Sequence, residues 1–341
     1  MKRITIKELA KMVNVSPKTV SKALNDKPGV NKELSQKIKK LADKMNYIPN
    51  LLGRGLKSNS IKTIGVIIPS SSNPHYSEII KGIVEKSDEF GYSIILCSSD
   101  DDLEHENKQI KLLIQKHVDG IILTPAPDYI NSKKKGIEIL KKLGISYIFI
   151  NRYLKGEENN CVKIDNVLGG YIATEYLIKK GHKNIIYLSP HLTPQKINSS
   201  AIDRIKGFKK ALTENNIPVN NKNIYICDSI TLESSYNTML NILKERRDFT
   251  AVFSFNDVVA FGVIKALYEC KLRIPSDVAV MGFDDMLYSQ ICLVPLTTIR
   301  QEPYKIGSVA TEILINRING NKNINTKKMI FTPKIIERVS V

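Results

Sequence analysis

Four groups of polar residues in the long second part of the chain could bind a small polar molecule. Each group follows a short apolar run, and together they comprise residues 70–76, 151–152, 256–257 and 282–285. Their hydroxyl, amide, guanidinium and carboxylate groups donate and accept hydrogen bonds. Ligands of parallel sheets bind beyond the carboxyl ends of the strands, so we expect these residues to gather around a binding site.

Alternating strands and helices are predicted to position these polar residues. Strands are predicted at 63–68, 92–97, 120–123, 147–150, 185–188, 224–226, 251–255 and 278–281, with helices at 76–90, 107–116, 168–180, 205–215, 234–244 and 257–270. Repeated β–α units imply parallel sheets with helices on both faces. A segment of about 280 residues is too long for one compact layer, so subdomains are expected.

A second kind of chemistry is concentrated in residues 1–60, which are strongly basic. They contain 14 lysine and arginine residues and 4 acidic residues, a net charge of +10 out of +17 for the whole chain. A basic excess in one small segment is typical of a nucleic-acid-binding protein. The alternative is a solvated lysine-rich face, because lysine is common throughout this chain.

The pattern inside the basic segment predicts a helix-turn-helix. Thr5 and Glu8 have capping-box spacing, Asn14 suits a tight turn, and Ser16 followed by Pro17 predicts a second helix start. A third helix is predicted from about residue 32 to 45. The predicted inward side chains are Ile6, Leu9, Ala10, Val13, Val20, Ala23, Leu24, Leu34, Ile38, Leu41 and Met45, whereas Lys18, Thr19, Ser21 and Lys22 point outward.

Residues 5–50, which end in the sequence NYIPN, closely resemble the DNA-binding domain of the LacI/GalR repressors. The resemblance implies that the helix at residues 17–24 enters the major groove of DNA. The positions that it assigns to DNA binding are Thr5, Ser16, Pro17, Lys18, Thr19, Ser21, Lys22, Asn25 and Asn50, with Pro17, Lys18 and Lys22 facing bases and Thr19, Ser21 and Asn25 nearer the phosphates. Lys22 replaces the usual arginine, and Pro17 has no side-chain donor. Operator choice should therefore depend on Lys18, Lys22 and DNA shape.

Residues 50–60 align with the hinge helix of that family. The resemblance implies that paired hinge helices insert Leu56 into the minor groove and kink the duplex. Gly53 and Gly55 each disfavour a helix by roughly 1 kcal/mol relative to alanine, and the segment is shorter than the roughly 12–15 residues that an isolated helix needs. We expect the hinge to fold only on DNA; a plain glycine-containing linker is the alternative.

Residues 61–341 resemble the periplasmic-binding-protein-like core of the same family. The landmarks are IGVIIPSSSNPHYSEIIKGI, VDGIIL, DNVLGGYIATEYLIKKGHKNI, AIDRIKGF, VFSFNDVVAFGVIKAL, IPSDVAVMGFDD and PLTTIRQEPYKIG. The implied fold is α/β: an all-α helix-turn-helix domain at 1–49, a hinge at 50–60, and a core of two doubly wound parallel-sheet subdomains. The near subdomain is expected at about 61–162 and 295–325, and the far subdomain at about 163–294 and 326–341, with crossovers near 162, 295 and 325.

The resemblance places an effector in the cleft between the subdomains. It assigns Ser70, Asn73 and Tyr76 to the near wall and Arg204, Asn256 and Asp284 to the far wall. Such a set suits a polyol, because carboxylate, amide and guanidinium groups pair with hydroxyls while an aromatic ring packs on the apolar sugar face. For several of these residues a structural role is the alternative. Asn256 or Asp284 could cap a helix, Asp257 is interpreted as a cap, and Asn73-Pro74 is equally a helix start. His75 stands where family members often have phenylalanine.

Other functional classes find little support in the sequence. The five cysteines are far apart with no C-x-x-C pair, which predicts reduced thiols and neither disulfides nor a zinc site. The chain has no catalytic motif, and the five histidines are scattered. The sequence has no apolar run of 18 residues and no apolar signal segment. We therefore expect a cytoplasmic protein that is not an enzyme, with no metal, no cofactor and no membrane partner.

The sequence as a whole predicts a DNA-binding transcriptional repressor. It should bind a pseudo-palindromic operator as a homodimer and respond to a small-molecule effector, a sugar or sugar derivative; whether the effector induces or corepresses stays open. One alternative is a global catabolite-type regulator controlled by a phosphorylated partner protein, which would have a weak sugar cleft. A solute-binding protein is the other alternative, and the basic N-terminal segment argues against it.

Overall fold

The structure, a computed structural model, describes residues 4–47, 60–127, 135–190, 192–193, 196–321 and 329–341. The chain divides into two compact units, Met1–Ile61 and Lys62–Val341. The predicted hinge residues Gly53, Gly55 and Leu56, together with Asn50, lie outside the described residues.

The first unit is a three-helix module with α1 at Ile6–Met12, α2 at Pro17–Leu24 and α3 at Lys32–Lys44. Thr5 and Glu8 form the predicted capping box, and Ser16 caps α2 with Pro17 in its first turn. Asn14 has a φ of 51°, so it makes the turn between α1 and α2. The buried core consists of Leu9, Ala10, Val20, Ala23, Ile38 and Ala42, with Leu24, Leu34 and Leu41 packed partly buried around it.

The second unit consists of alternating strands and helices, as predicted. The strands are β1 Thr63–Ile68, β2 Ser93–Ser98, β3 Gly120–Leu123, β4 Ser146–Ile150, β5 Cys161–Ile164, β6 Ile185–Pro190, β7 Leu192–Thr193, β8 Lys196–Ile197, β9 Ile224–Cys227, β10 Ala251–Ser254, β11 Ala279–Met281, β12 Thr298–Arg300, β13 Met329–Phe331 and β14 Lys334–Ile336. The helices are α4 Pro74–Glu89, α5 Leu103–Gln115, α6 Lys135–Leu143, α7 Asn166–Lys179, α8 Ser199–Glu214, α9 Leu232–Glu245, α10 Asp257–Glu269 and α11 Pro303–Ile318.

Two parallel sheets form the centres of two lobes within this unit. The first lobe has the strand order β13-β5-β4-β3-β1-β2, and the second has β11-β10-β6-β9. Successive side chains of a strand point to opposite faces. Accordingly, Val66 packs with α4 and α11 on one face, while Ile67 packs with α5 and α6 on the other. The second sheet is likewise covered by α9 and α10 on one face and by α7 and α8 on the other.

The chain passes between the lobes three times, later than expected each time. The passages lie between β5 and α7, between β12 and α11, and between β13 and β14. Ile299 of β12 still packs in the core of the second lobe, and Met329–Phe331 pair with β5 in the first sheet, whereas crossovers were expected near 162, 295 and 325. The reason is that a short apolar run predicts a strand without indicating which sheet the strand joins.

Most of the elements that were not predicted from the sequence are short, although helix α11 has 16 residues. Strands β5, β12 and β13 have three or four residues each, too few for a clear alternation. None of the described helices is long and apolar enough to cross a membrane.

Candidate functional site

A cavity of about 650 Å³ lies where the carboxyl ends of strands from both sheets meet. All six residues predicted to bind an effector line it: Ser70, Asn73, Tyr76, Arg204, Asn256 and Asp284. The parallel sheets bring these residues together although they are separated by more than two hundred positions in the chain. The cavity is the candidate ligand site.

Arg204 of α8 is the most extensively bound side chain in the cavity wall. Its Nε donates to Asn166 Oδ1 at 2.9 Å, and its Nη1 donates to the carbonyl oxygen of Phe255 at 2.5 Å. The guanidinium lies over the ring of Phe283, 3.5 Å from the centroid. Burial lowers the pKa of this guanidinium, and the charge of Asp284 opposes that effect. The group is therefore held in one orientation before any ligand arrives.

Asp284 follows β11 and faces Arg204. Its Oδ1 lies 3.7 Å from Arg204 Nη2 and accepts a hydrogen bond from Gln301 Nε2 at 2.6 Å. Asp284 has a φ of 117°, a strained conformation of the kind that collects at ligand sites. The predicted alternative, that Asp284 caps a helix, is wrong, since its carboxylate bonds to Gln301 and no helix begins there.

The wall from the first lobe combines helix-capping and cavity-lining roles. Asn73 caps α4 by accepting from the backbone N–H of His75, and Ser70 pairs with Ser72 at 2.8 Å. His75 is buried beside Tyr76, and its Nε2 lies 3.1 Å from Asn151 Nδ2. Burial lowers the pKa of His75, so its ring is neutral at pH 7.

Arg152, which is buried, forms a second ion pair in the cavity wall with the partly buried Asp101. Its guanidinium donates to both carboxylate oxygens of Asp101, at 2.5 and 3.2 Å. Arg204 and Arg152 thus each face an aspartate, and the charges of both arginines lining the cavity are compensated. A cavity of this kind suits a neutral ligand with many hydroxyls better than a phosphate, which seeks unpaired cations.

Several cavity residues were absent from the predicted set. Among them are Asp100, Asp101, Asn166, Ser200, Phe255, Gln301 and the segment 229–232, whereas His75, Asn151 and Arg152 belong to the polar groups that were expected near the site. Their position after a strand could also have indicated Asp101 and Ser229, because β2 and β9 end just before them. No sequence pattern indicates Gln301, which lies in the second passage between the lobes.

Asn256 takes both of the roles that the sequence suggested for it, whereas Asp257 does not act as the predicted cap. Asn256 caps α10 by accepting from the N–H of Val259 while also lining the cavity. Asp257, interpreted as a cap, is instead fully buried. It accepts hydrogen bonds from Met286 N, Ser289 Oγ and Thr298 Oγ1. Asp257 therefore holds the segment after β11 against the cavity wall.

The DNA-binding positions divide into two groups in the first unit. Thr5, Ser16 and Thr19 take part in capping bonds, and Asn25 donates to the Ser21 carbonyl oxygen at 2.6 Å. Pro17 and Lys18 are exposed on α2, with Ser21 and Lys22 partly exposed. The second group presents the polar side chains of Lys18, Ser21 and Lys22 outward on one helix, as a DNA-reading helix requires.

In the described ranges, no group of three or more histidine, cysteine or acidic residues is placed so that it could hold a metal ion. All five cysteines are free thiols. A basic helix-turn-helix on the same chain as a two-lobed core with a polar cavity defines a ligand-responsive DNA-binding regulator.

Comparison with known proteins identifies the family. Residues 5–50 match the bacterial regulatory proteins of the lacI family, and residues 174–341 match the periplasmic binding protein-like domain. The chain is 34% identical to the HTH-type transcriptional regulator RegA of Clostridium saccharobutylicum, over 98% of each protein. It is 31% identical to the ribose operon repressor of Escherichia coli K12, over 98% of this chain and 99% of that protein.

A solved structure agrees with the fold. The lac repressor dimer bound to operator and an anti-inducer superposes with a TM-score of 0.86 at 24% identity, over 99% of each chain. The chain belongs to the lacI family of bacterial regulatory proteins, and it is a DNA-binding transcriptional regulator with the architecture of that family.

The buried carboxyl group of Asp257 should make the stability of the folded protein depend on pH. Burial, followed by the charge of Asp284, raises the pKa of Asp257 to about 7 from an ordinary value of 3.8. Between about pH 4 and pH 7, the folded protein therefore keeps a proton on Asp257 that the unfolded chain has lost. The stability that this proton contributes is fully present below about pH 4 and is lost as the pH rises through 7. We expect the free energy of unfolding, measured with urea, to fall between pH 5.5 and pH 8 by about 1–2 kcal/mol more in the native chain than in Asp257→Asn. Equal pH dependence in both proteins would contradict this.

Proposed function

We propose that this protein is a repressor that binds a pseudo-palindromic operator as a homodimer and is controlled by a neutral sugar in the interlobe cavity. The observation that carries the proposal is the cavity itself, whose two arginines are both paired with aspartates. We also propose that the protein acts in the cytoplasm, where operator DNA is found, and that it catalyses no reaction.

The composition of the cavity supports a sugar. Amide, hydroxyl and carboxylate groups from both lobes face one space, and Tyr76 and Phe255 supply aromatic surface. Carbohydrates need both kinds of contact, because their rings carry hydroxyls at the edge and C–H groups on the face. The 31% identity to the ribose operon repressor makes D-ribose the first compound to test.

A well-formed polar cavity also favours a small-molecule effector over a phosphorylated partner protein as the main signal. A partner-controlled regulator needs a docking surface and has little use for buried, oriented ligand groups. Arg204, Asn166 and Asp284 are all buried and bonded in place, which is the preorganisation that small-ligand binding requires.

The proposed mechanism needs only a difference in affinity between two arrangements of the lobes. A ligand that touches both lobes stabilises the arrangement in which both sets of contacts form. The affinity of the protein for the operator then changes by an amount set by the difference in DNA affinity between the two arrangements. The sign of the response decides whether the ligand is an inducer or a corepressor.

The homodimer is supported by an exposed apolar segment in the second lobe. Leu287, Ile291 and Leu293 are 69%, 74% and 61% exposed, and Tyr288 beside them is 52% exposed. Four large apolar side chains this close together on a surface usually mark a protein interface. A twofold axis would place this segment against its own copy.

The operator prediction concerns Lys18 and Lys22 on α2. Selection from a random duplex pool at physiological salt should enrich a palindrome with a central CG-like step. Lys22→Ala should weaken binding to that sequence by about 1–3 kcal/mol and relax selectivity at its base positions. Lys40→Ala, which removes the same charge from the exposed side of α3, should lower affinity for all sequences alike. Failure to enrich any sequence would overturn the operator proposal.

The effector prediction concerns Arg204. D-ribose or another neutral sugar from a panel should change operator affinity at least fivefold, measured by fluorescence anisotropy. Arg204→Met should abolish the response to the sugar, because the forked donors of the guanidinium are lost. The variant should still bind the operator. Lys210→Met, on the exposed side of the same helix, should respond normally. A response only to a phosphorylated protein, with none to sugars, would contradict this part of the proposal.

The dimer prediction concerns Ile291. Sedimentation of the native chain at micromolar concentration should show a dimer, and Ile291→Asp should shift the equilibrium to monomer because it places a charge in an apolar contact. Val219→Asp, the same type of change at an exposed position outside the segment, should remain dimeric. A native chain that is only monomeric or tetrameric would show the homodimer to be wrong.

A further inference from the structure

A buried charged cluster joins the two lobes beside the cavity. Tyr153 follows β4 and Lys163 lies on β5, both in the first lobe, whereas Asp203 lies on α8 in the second. The side chains of Lys163 and Asp203 are only 8% and 6% exposed. These three residues, which we call the interlobe cluster, do not line the cavity.

Each member of the interlobe cluster contacts the other two. Tyr153 Oη donates to Asp203 Oδ2 at 2.9 Å, and Lys163 Nζ lies 3.5 Å from the same oxygen. Lys163 Nζ also lies over the Tyr153 ring, 3.8 Å from its centroid. Burial and the Asp203 carboxylate together raise the pKa of the Tyr153 phenol, so it stays a hydrogen-bond donor.

Two further bonds cross the same boundary. The backbone N–H of Tyr153 donates to Ser199 Oγ at 3.1 Å, and Ser200 Oγ donates to the carbonyl oxygen of Asn151 at 3.2 Å. The first turn of α8 is thereby bonded to the segment that follows β4. Asp203 is followed directly by Arg204, so the cluster lies next to the cavity wall without touching its contents.

The charges explain why these contacts depend on the lobe arrangement. Lys163 and Asp203 are both buried where the lobes meet, and a buried charge is stable only beside a partner of opposite charge. Lys163 pairs with Asp203 of the other lobe, whereas Asp203 also pairs with Lys206 of its own helix. Removing Lys163 alone would leave a buried carboxylate with less compensation. That loss favours an arrangement in which Asp203 returns to water, and such an arrangement separates the lobes at this boundary.

We infer that Tyr153, Lys163 and Asp203 are positioning residues that hold the two lobes in the arrangement that forms the cavity. A ligand touching both lobes would stabilise that same arrangement, so the cluster raises effector affinity from outside the binding site. This consequence rests on the proposed function. The positioning role itself requires neither a sugar nor DNA.

The chain offers a matched pair of variants for a test. Lys163 and Lys206 both pair with Asp203, but Lys206 lies on α8 itself, 3.3 Å from Asp203 Oδ1, and its side chain is 61% exposed. Lys163→Met breaks an interlobe contact, whereas Lys206→Met breaks a contact within one helix. Both variants lose the same charge and the same partner.

The measurement is hydrogen–deuterium exchange of the full chain without sugar or DNA. In Lys163→Met, the Tyr153 amide, read from a peptide covering residues 151–154, should exchange about tenfold faster. The same amide in Lys206→Met should stay within about twofold of the native rate. Peptides from β1 and β10, one in the centre of each lobe, should be unchanged in both variants.

Two outcomes would overturn the inference. Equal exchange rates at residues 151–154 in Lys163→Met and Lys206→Met would show that the contact between Lys163 and Asp203 does not stabilise the lobe arrangement. Faster exchange in β1 and β10 as well would show a general loss of stability. Tyr153→Phe, which removes only the hydroxyl donor, should give a smaller increase confined to residues 151–154. Lys163→Arg, which keeps a cation beside Asp203 and the Tyr153 ring, should restore most of the protection. Because no operator or sugar is present, failure here is distinct from failure of the proposed function.

Discussion

The buried charge of Arg204 is the constraint on which the effector cavity depends. A guanidinium taken out of water must be compensated by nearby carboxylates, carbonyl oxygens or aromatic faces. Here α7 supplies Asn166, the end of β10 supplies the carbonyl oxygen of Phe255, and the turn after β11 supplies Asp284 and the Phe283 ring. Three separate elements of the second lobe are therefore held in register around one side chain.

Close helix packing makes this compensation possible. Gly170 of α7 faces the backbone of Arg204, where an added Cβ would lie 2.1 Å from the carbonyl oxygen. Gly207 of α8 faces Val167 in the same way, with an added Cβ 2.1 Å from its carbonyl oxygen. The two helices can approach closely only because both positions lack side chains. This approach brings Asn166 within hydrogen-bonding distance of Arg204.

Capping and ligand binding are not alternatives in this cavity. Asn73 and Asn256 each cap a helix through the side-chain oxygen and also line the cavity. A cap at the carboxyl end of a parallel strand necessarily stands at the opening between sheet and helix, where ligands bind. The cap fixes the side-chain rotamer, so an amide group is presented to the cavity at low entropic cost. The two lobes then need only stay together, which is the role that we assign to Lys163 and Asp203.

The sequence by itself determined the helix-turn-helix, most strands and helices of the core, and six residues that share one cavity. Local signals sufficed for the helices and strands, since capping boxes, apolar periodicity and strand-end polarity act over a few residues. The six cavity residues were assigned through the resemblance of their motifs to the lacI family. Only the tertiary structure decided which sheet β12 and β13 join, and that Asp257 is buried beneath Met286, Ser289 and Thr298 instead of serving as a cap. It also decided the pairing of Arg152 with Asp101 and of Lys163 with Asp203. All of these side-chain contacts join residues 29 or more positions apart in the chain. Such partners are determined by how the sheets and helices pack, which no local pattern records.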